Sequence, residues 1–162
     1  MHVPPSIASA ARNYRFNSDF LIKIVQDLAP EDWLKAPALN LNHISWIVGH
    51  LLWSRSRLMA HLGVEWTRPW VNLFARSVPL GEEASYPPAA ELLSSWHDAS
   101  TTLAIALETV SEEALAQPAP AGPPSPDGKI GGLVNFLAIH ETYHIGQASY
   151  LRAWLGKPGL MG

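Results

Sequence analysis

Proline positions and apolar periodicity divide the chain into four long segments that are expected to be helical. Proline inside a helix loses a hydrogen bond and clashes with the preceding turn, so helices are expected between prolines. The long proline-free spans are 6–29, 38–68, 89–117 and 127–157. Each carries apolar residues at the three- and four-residue intervals of an amphipathic helix. Clean two-residue alternation, which would indicate strands, is scarce, so the pattern predicts an all-α protein.

The apolar stripes and capping residues set the expected helix bounds. We expect helices at about 6–28, 43–62, 89–110 and 131–155, and a short helical turn at "APEDW". The second helix is expected to begin at a cap of Asn42 or Asn40 and to end at Gly63. Gly156 followed by Pro158 ends the fourth helix. The pattern predicts a four-helix bundle, forming a single domain over 1–162, and a less regular helical domain is the alternative.

The connections between helices 2 and 3 and between helices 3 and 4 are both long. Residues 63–88 carry Trp66, Trp70 and Phe74, which are expected to pack over one end of the bundle and to roof a pocket for a small, partly apolar molecule. Residues 111–130 include "QPAPAGPPSPDG", whose prolines exclude a helix. This second connection is predicted to be an extended crossover or a flexible loop.

Composition and charge exclude several classes of function. The 162 residues contain no cysteine, which excludes disulfides, thiolate metal sites and a cysteine nucleophile. The net charge of −3 and the lack of a basic cluster give no support for nucleic-acid binding. The N-terminus does not have the pattern of a signal peptide, and no segment reads as membrane-spanning. We therefore expect a cytoplasmic protein with no nucleic-acid or membrane partner.

The fourth predicted helix places two histidines on its most apolar seam. Steps of four and three residues along this seam give Leu133, Leu137, His140, His144, Gln147, Leu151 and Trp154. Two imidazoles buried without partners would cost several kcal/mol in total, roughly. Because they lie one helical turn apart, both rings can point at one centre, where a divalent metal ion would satisfy them. Hydrogen-bonded core histidines are the alternative.

A metal site on these residues needs a third protein ligand. Among the other histidines, His50 has the most apolar flanks, whereas His43 is expected to help cap helix 2 and His97 to face solvent. We therefore predict one divalent metal ion per chain, held by His50, His140 and His144. Imidazole suits zinc, nickel, copper or iron, and zinc or nickel is expected. Since metal binding requires neutral imidazole, affinity should fall as the pH drops through about 6.5.

The stretch "HETYH" also has the spelling of a zinc metalloprotease helix. Such a protease usually takes its third ligand from downstream, yet residues 145–162 contain no His, Asp or Glu. The longer protease pattern requires Gly where Gln147 stands, and no sheet is predicted that could align a peptide. We therefore interpret the protease match as accidental.

Five further side chains are candidates for catalysis or substrate binding. Glu141 could act as a general base, but it points about 100° away from the preceding histidine, so a solvated or ligand-supporting position is the alternative. Tyr143 could donate a proton or form a pocket wall. Gln147 lies one turn beyond the second histidine and could bind a metal ligand or the substrate. Arg57 and Arg152 could hold a substrate carboxylate, with a solvated position as the alternative.

The segments "SWIVGHLLW" (45–53) and "HETYHIGQASYLRAWLG" (140–156) resemble the DinB/YfiT-like superfamily. His50 matches the family's helix 2 histidine, and His140 and His144 match its paired helix 4 histidines. The segment "NYRFNSDFLIKIVQDL" (13–28) is similar to the family's first helix. The resemblance implies a four-helix bundle with long crossovers, a divalent metal ion on the three histidines and frequent homodimers.

The resemblance also bears on function without deciding it. It implies a metal-dependent enzyme that acts on a small molecule, either by S-transfer of a low-molecular-weight thiol or by hydrolysis. Whether the protein is an enzyme stays open. A bundle that binds a metal or a small ligand without turnover is one alternative, and a bundle with purely structural histidines is another.

Aromatic residues on the first two helices predict self-association. Trp46 and Trp53 lie seven residues apart on helix 2, and Phe16 and Phe20 lie off the main stripe of helix 1. Together they exceed what one bundle seam can bury, which predicts a helix-packed homodimer. Coverage by the 63–88 connection is the alternative.

Overall fold

The computed structural model describes residues 2–76, 78–82 and 85–161. Its α-helices are α1 (Ala8–Val25), α2 (Ile44–His61), α3 (Ala89–Thr109), α4 (Glu112–Leu115) and α5 (Ile130–Trp154). Short 3₁₀ turns occur at Pro5–Ile7, Pro30–Leu34 and Val71–Phe74. The described residues contain no strand, only an isolated bridge between Pro118 and Lys129. The all-α prediction is confirmed.

The four long helices pack as a bundle in which α1 lies diagonally opposite α2. Both α1 and α2 pack against α3 and against α5. Trp96 of α3 is fully buried at the centre, and its indole N–H donates to the carbonyl oxygen of Ser18 at 3.1 Å. Since α2 and α5 are neighbours, histidines on these two helices can meet across their interface.

Helix α2 begins at a histidine cap. The Nδ1 atom of His43 accepts a hydrogen bond from the backbone N–H of Trp46 at 3.1 Å, so the expected capping role of His43 is confirmed. The predicted caps Asn42 and Asn40 are wrong, because the imidazole already satisfies the free N–H of the first turn. The helix ends at His61, and Gly63 stops it as predicted, with a φ of 78° that glycine adopts without strain.

The connection between α3 and α5 contains the short helix α4, which the sequence analysis missed. Its signal is a capping residue in front of two glutamates, since the Ser111 hydroxyl accepts from the N–H of Ala114 at 3.1 Å. Beyond α4 the chain is non-helical up to Lys129, as expected. This loop is closed at its base, where the N–H of Ile130 donates to the carbonyl of Gln117 at 2.9 Å.

Helix α5 buries two adjacent rows of side chains. The predicted seam is buried or half-buried from Leu133 to Leu151, but Trp154 is 44 % exposed. The second row is offset by one residue and comprises Val134, Ala138, Glu141, Ile145, Ala148 and Arg152. Although α5 has 25 residues, neither it nor another described helix is long and apolar enough to cross a membrane.

Candidate metal centre

Three imidazoles from α2 and α5 converge at the interface of these helices. The Nε2 atom of His140 lies 3.3 Å from Nε2 of His50 and 3.2 Å from Nε2 of His144. The potential ligand atoms of the three residues all lie within 4.8 Å of one another. His50 and His144 are buried and His140 is half-buried. The structure thus brings together the three histidines predicted as ligands.

The spacing of the nitrogens fits a shared divalent ion. Imidazole nitrogens bind zinc at about 2.0–2.1 Å, so two ligands at a tetrahedral angle lie roughly 3.4 Å apart. The observed 3.2 and 3.3 Å separations to His140 are close to this value. The three-histidine group therefore could hold a metal ion, and its all-nitrogen donor set suits zinc, nickel, copper or iron.

Hydrogen bonds orient two of the three rings. The Nδ1–H of His50 donates to the carbonyl oxygen of Phe74 at 2.9 Å, and that of His144 donates to Oε1 of Gln147 at 2.7 Å. Each bond leaves the lone pair of Nε2 directed at the centre of the cluster. The Nδ1 atom of His140 is buried without a hydrogen-bond partner. Without an ion, the Nε2 lone pairs of His50 and His144 would both face the single Nε2 atom of His140.

Burial keeps these imidazoles in the neutral form that binds metal. It lowers the pKa of His50, and it lowers the pKa of His140 and His144 to about 4. The nearby positive charge of Arg76 lowers the pKa of His50 and His140 further. At neutral pH a metal ion would therefore have few protons to displace from the site.

The cluster lies in the wall of a cavity of about 390 Å³. The rings of Trp46 and Trp53 stack on His50, with centroid distances of 4.7 and 5.5 Å. The 111–130 connection contributes Pro123 and Pro124 to the lining. The remaining lining residues are Ser54, Arg76, Phe136, Leu137, His140 and His144. The walls are thus mostly aromatic or aliphatic, with one guanidinium.

The pocket roof predicted from Trp66, Trp70 and Phe74 is wrong, because none of these side chains lines the histidine cavity. The indole N–H of Trp66 donates to Asp98 at 2.8 Å, and that of Trp70 donates to Glu91 at 2.5 Å. Neither tryptophan lines the cavity beside the histidines. Phe74 does reach the site, through the backbone carbonyl that holds His50. Sequence patterns do not reveal such a contact, because it depends on where a connection folds back.

A glycine on α2 allows that connection to approach His50. A Cβ atom at Gly49 would lie 2.3 Å from the ring of Phe74, so a larger side chain would collide with it. The turn Val71–Phe74 can therefore close against α2 and present its last carbonyl to His50. Gly49 was a signal available in the sequence, because a glycine inside a helix costs roughly 1 kcal/mol and often marks a close approach of another segment.

Glu141 lies in the second buried row of α5, about 100° around the helix from His140, and forms a buried ion pair. Its two oxygens accept from Nε and Nη2 of Arg55 at 2.7 and 2.9 Å, and both side chains are almost fully buried. Arg55 also donates to the hydroxyls of Ser100 and Ser18 and stacks 3.7 Å above the ring of Trp96. The solvated alternative for Glu141 is therefore wrong, and these contacts favour a supporting role over that of a general base.

The remaining predicted residues lie at different distances from the cluster. Gln147 binds His144, and its Nε2 donates to the hydroxyl of Tyr143 at 3.1 Å. Tyr143 is 64 % exposed and packs edge-on against His144. Arg57 is exposed and lines a neighbouring cavity of about 230 Å³, which shares Trp53, Ser54, Pro123 and Leu137 with the first.

The structure places two arginines differently from the sequence-based prediction. Arg152 is neither solvated nor at the cluster, because it is 4 % exposed and its guanidinium binds Asp27 and the carbonyl of Ile24. Arg76 lines the histidine cavity but was not considered. It follows the Val71–Phe74 turn, where no helical periodicity indicates which residues face the bundle.

The family of the chain is established by comparison with known protein families. The family model of the DinB superfamily matches residues 14–148 of the 162 residues. The chain therefore belongs to the DinB superfamily, as the motifs in its second and fourth predicted helices, now α2 and α5, implied. No protein of curated function matches it. Family membership and the three-histidine cluster together fit a metal-binding protein.

Proposed function

We propose that the protein is a metal-dependent enzyme that acts on a small molecule. One observation carries the proposal: three neutral imidazoles converge in the wall of a cavity of about 390 Å³, which leaves room for a substrate beside a bound ion. The ligands in this proposal are His50, His140 and His144, with one zinc or nickel ion per chain. The reaction is hydrolysis or S-transfer of a low-molecular-weight thiol.

A divalent ion held there would supply Lewis-acid chemistry, lowering the pKa of a water molecule or thiol so that it acts as a nucleophile near neutral pH. The chain itself would position the reactants. The Phe74 carbonyl and the Gln147 amide orient two ligand rings, which supports a fixed direction of approach. Trp46 and Trp53 present apolar rings to the cavity, and electrostatic interactions are stronger beside such low-dielectric walls.

Charge supports an anionic group on the substrate. The described residues that line the histidine cavity and the adjoining one include Arg76 and Arg57 but no Asp or Glu. This contrasts with the net charge of −3 of the whole chain. Guanidinium groups bind carboxylates through strong charge-assisted hydrogen bonds. We therefore propose that Arg57 or Arg76 holds a carboxylate of the substrate while its apolar part contacts the aromatic wall.

Two other residues take supporting roles in this proposal. Tyr143 presents a hydroxyl next to Gln147 and is the candidate proton donor at the outer edge of the cluster. Glu141 acts through its ion pair with Arg55, which fixes the rotation of α5 about its axis and thereby the direction of the neighbouring His140.

The proposal is tested by a reaction screen with metal-loaded protein. Electrophiles are offered together with several cellular thiols, alongside ester, amide and peptide substrates. We expect turnover that a chelator abolishes and that added metal restores. Arg57→Gln and Arg76→Gln should each be compared on a carboxylate-bearing substrate and its neutral amide analogue. If one of these arginines binds the carboxylate, its variant raises KM for the first substrate only.

Three outcomes would replace the proposal. Peptide cleavage that disappears in Glu141→Gln would restore the metalloprotease interpretation. Full metal loading without turnover on any substrate would favour a metal-binding or ligand-binding bundle. A protein that binds no metal and whose stability does not respond to added metal would mean that the histidines are structural.

A further inference from the structure

A second cavity lies between α1 and α3, on the side of the bundle opposite to the interface of α2 and α5. Its volume is about 350 Å³. Tyr14 and Ser18 of α1 line this α1–α3 cavity together with Ser100, Leu103 and Leu107 of α3. No described residue lines both this cavity and the histidine cavity. A molecule bound here would therefore not touch the metal centre.

Small side chains keep the α1–α3 cavity open. Ala11 and Ser18 lie on one of its helices, and Ser100 and Ala104 lie on the other. Larger residues at such positions normally interlock between packed helices and fill the space. The volume that remains is within the range of small-molecule sites, about 300–1,000 Å³.

A buried arginine from α2 fixes the two serine hydroxyls of the cavity. Nη2 of Arg55 donates to Oγ of Ser18 at 2.9 Å, and Nη1 donates to Oγ of Ser100 at 2.7 Å. Arg55 is 1 % exposed, and the same guanidinium binds Glu141, the residue next to His140. The two hydroxyls thus lie close together, on one end of the ion pair that joins α2 to α5.

The hydrogen bonds of these hydroxyls define what a ligand must offer. Ser18 donates its proton to the carbonyl oxygen of Tyr14, and Ser100 donates its proton to the carbonyl oxygen of Trp96, both at 2.7 Å. A serine hydroxyl has one proton and two lone pairs. Since Arg55 occupies one lone pair, each oxygen can accept one more hydrogen bond but cannot donate one. The pair therefore suits a hydrogen-bond donor and offers nothing to a carboxylate or a phosphate.

The charged residues of the cavity favour the same kind of ligand. Asp19 of α1 and Glu108 of α3 line the cavity beside Arg15. Arg15 approaches Glu108 only to 3.7 Å, and Asp19 has no hydrogen bond or ion pair with another described residue. Carboxylates thus outnumber guanidinium groups among the described lining residues. The histidine cavity has the opposite charge preference, because its described lining includes Arg76 and no acid.

We infer that the α1–α3 cavity is a binding site for a small primary ammonium compound with an apolar tail. An ammonium group carries three N–H donors and a positive charge. Its donors match the open lone pairs of Ser18 and Ser100, and its charge matches the carboxylate of Asp19. The tail would pack against Leu103 and Leu107. The inference goes beyond the proposed function and depends on neither metal binding nor turnover.

Two probes of equal length and opposite charge test the inference. Hexylamine is protonated at neutral pH, as a lysine side chain is, whereas hexanoate is an anion. Each is titrated into the full-length chain, and amide signals are followed by two-dimensional NMR. Hexylamine should shift signals of α1 and α3 around the cavity and saturate with a Kd on the order of 1 mM. Hexanoate should not shift these signals.

Three variants locate the ammonium group and the tail. Asp19→Asn removes one exposed carboxylate and should raise the Kd of hexylamine about three- to fivefold. The matched control is Glu113→Gln, which removes an exposed carboxylate of α4 that does not line the cavity and should leave the Kd unchanged. Ala104→Trp fills the cavity from an exposed position of α3 and should abolish the shifts.

The same titration with and without added zinc separates this site from the metal centre. The shifts on α1 and α3 should be the same in both, whatever becomes of the proposed enzyme activity. Hexylamine that causes no saturable shift there would overturn the inference. So would equal shifts by hexanoate, an unchanged Kd in Asp19→Asn, or shifts that persist in Ala104→Trp.

Discussion

The three histidines of the cluster differ in the hydrogen bonds that orient their rings. Substitutions of a ligand and of its hydrogen-bond partner should therefore reduce metal binding to different extents. His144 supplies one of the three converging nitrogens and is oriented by Gln147. We expect His144→Ala to reduce metal content from about one ion per chain to less than about a tenth, measured by elemental analysis. Gln147→Ala keeps all three ligands and should weaken affinity about 10–100-fold, as loss of a ligand's hydrogen-bond partner usually does.

The control for these variants is His97→Ala, because His97 is exposed on α3 and should not change metal content. Full occupancy in His144→Ala would refute the assignment of the ligands.

Burial of the histidines makes a prediction about pH. In the folded, metal-free protein the pKa of His140 and His144 is about 4, against 6.5 for an unperturbed imidazole. The unfolded chain therefore binds more protons between these values, and stability is lost as the pH falls from about 6.5 towards 4. A difference of one in pKa equals about 1.4 kcal/mol, but both rings are partly accessible to solvent, so screening reduces the loss to on the order of 1–2 kcal/mol.

Urea denaturation of metal-free protein at several pH values between 7 and 4.5 measures this effect. The double variant His140→Gln with His144→Gln should show a much flatter profile. Asp27 and Asp98 do not contribute in this pH range. A hydrogen bond from Arg152 lowers the pKa of Asp27, and hydrogen bonds from Trp66 and Arg68 lower the pKa of Asp98. An unchanged slope in the double variant would contradict the prediction. Protons should also compete with metal at a lower pH than the value near 6.5 expected from the sequence.

At the scale of single residues, the sequence predicted what local spacing determines. His140 and His144 were found because residues one helical turn apart face the same way, and His50 because its flanks are apolar. Arg76 and the Phe74 carbonyl were missed, since both reach the site through a connection whose path no periodicity describes. Glu141 lies one residue off the predicted seam, so a solvated position was considered for it. It is buried because α5 has a second apolar row, which the seam alone does not reveal.

At the scale of helices, the ion pair between Arg55 and Glu141 joins α2 to α5 inside the core. Removing one partner of a buried pair typically costs about 3–5 kcal/mol, because the other charge is left without a partner. We expect Glu141→Gln to lower the free energy of unfolding by this amount in urea denaturation. Replacing both residues, as Arg55→Met with Glu141→Leu, should recover much of the loss.

An exposed ion pair serves as the control. Arg15 and Glu108 lie 3.7 Å apart on the surface, and Glu108→Gln should change stability by less than about 1 kcal/mol. If Glu141→Gln left stability unchanged but abolished turnover, the carboxylate would act in the chemistry and the supporting role would be refuted.

The sequence predicted which segments are helical more accurately than it predicted where each helix begins and ends. The four long helices match the proline-free spans, because proline and apolar period are local properties. The ends shifted where a polar side chain competed for the cap, as His43 did, or where the first turn became 3₁₀, as at Pro5–Ile7. The short helix α4 was missed because four residues are too few to show a period.

At the scale of the whole molecule, both long connections close around the interface of α2 and α5. The 63–88 connection brings the Phe74 carbonyl to His50, and the 111–130 connection brings Pro123 and Pro124 to the cavity wall. These contacts join residues far apart in the chain, so they could not be read from any single segment. The family match over 14–148 gives the family of the chain but does not identify a substrate.

Because its ligands come from two helices, a bound ion should stabilise the entire fold. The unfolded chain does not hold His50 near the paired histidines, so metal binds the native state preferentially. At free metal about 1,000 times the dissociation constant, linkage adds about 4 kcal/mol. For a chain of this size that corresponds to a rise in Tm on the order of 10 °C, measured by calorimetry at one protein concentration.

The specificity of that shift tests the site as a whole. Zinc or nickel should raise Tm, whereas magnesium should not, since it prefers oxygen ligands. The variant His50→Gln should remove most of the shift although it leaves α5 intact, because the ion would then no longer link α5 to α2. An equal shift in this variant would mean that the ion binds on α5 alone. A shift that also survives His140→Gln with His144→Gln would place the ion elsewhere on the molecule.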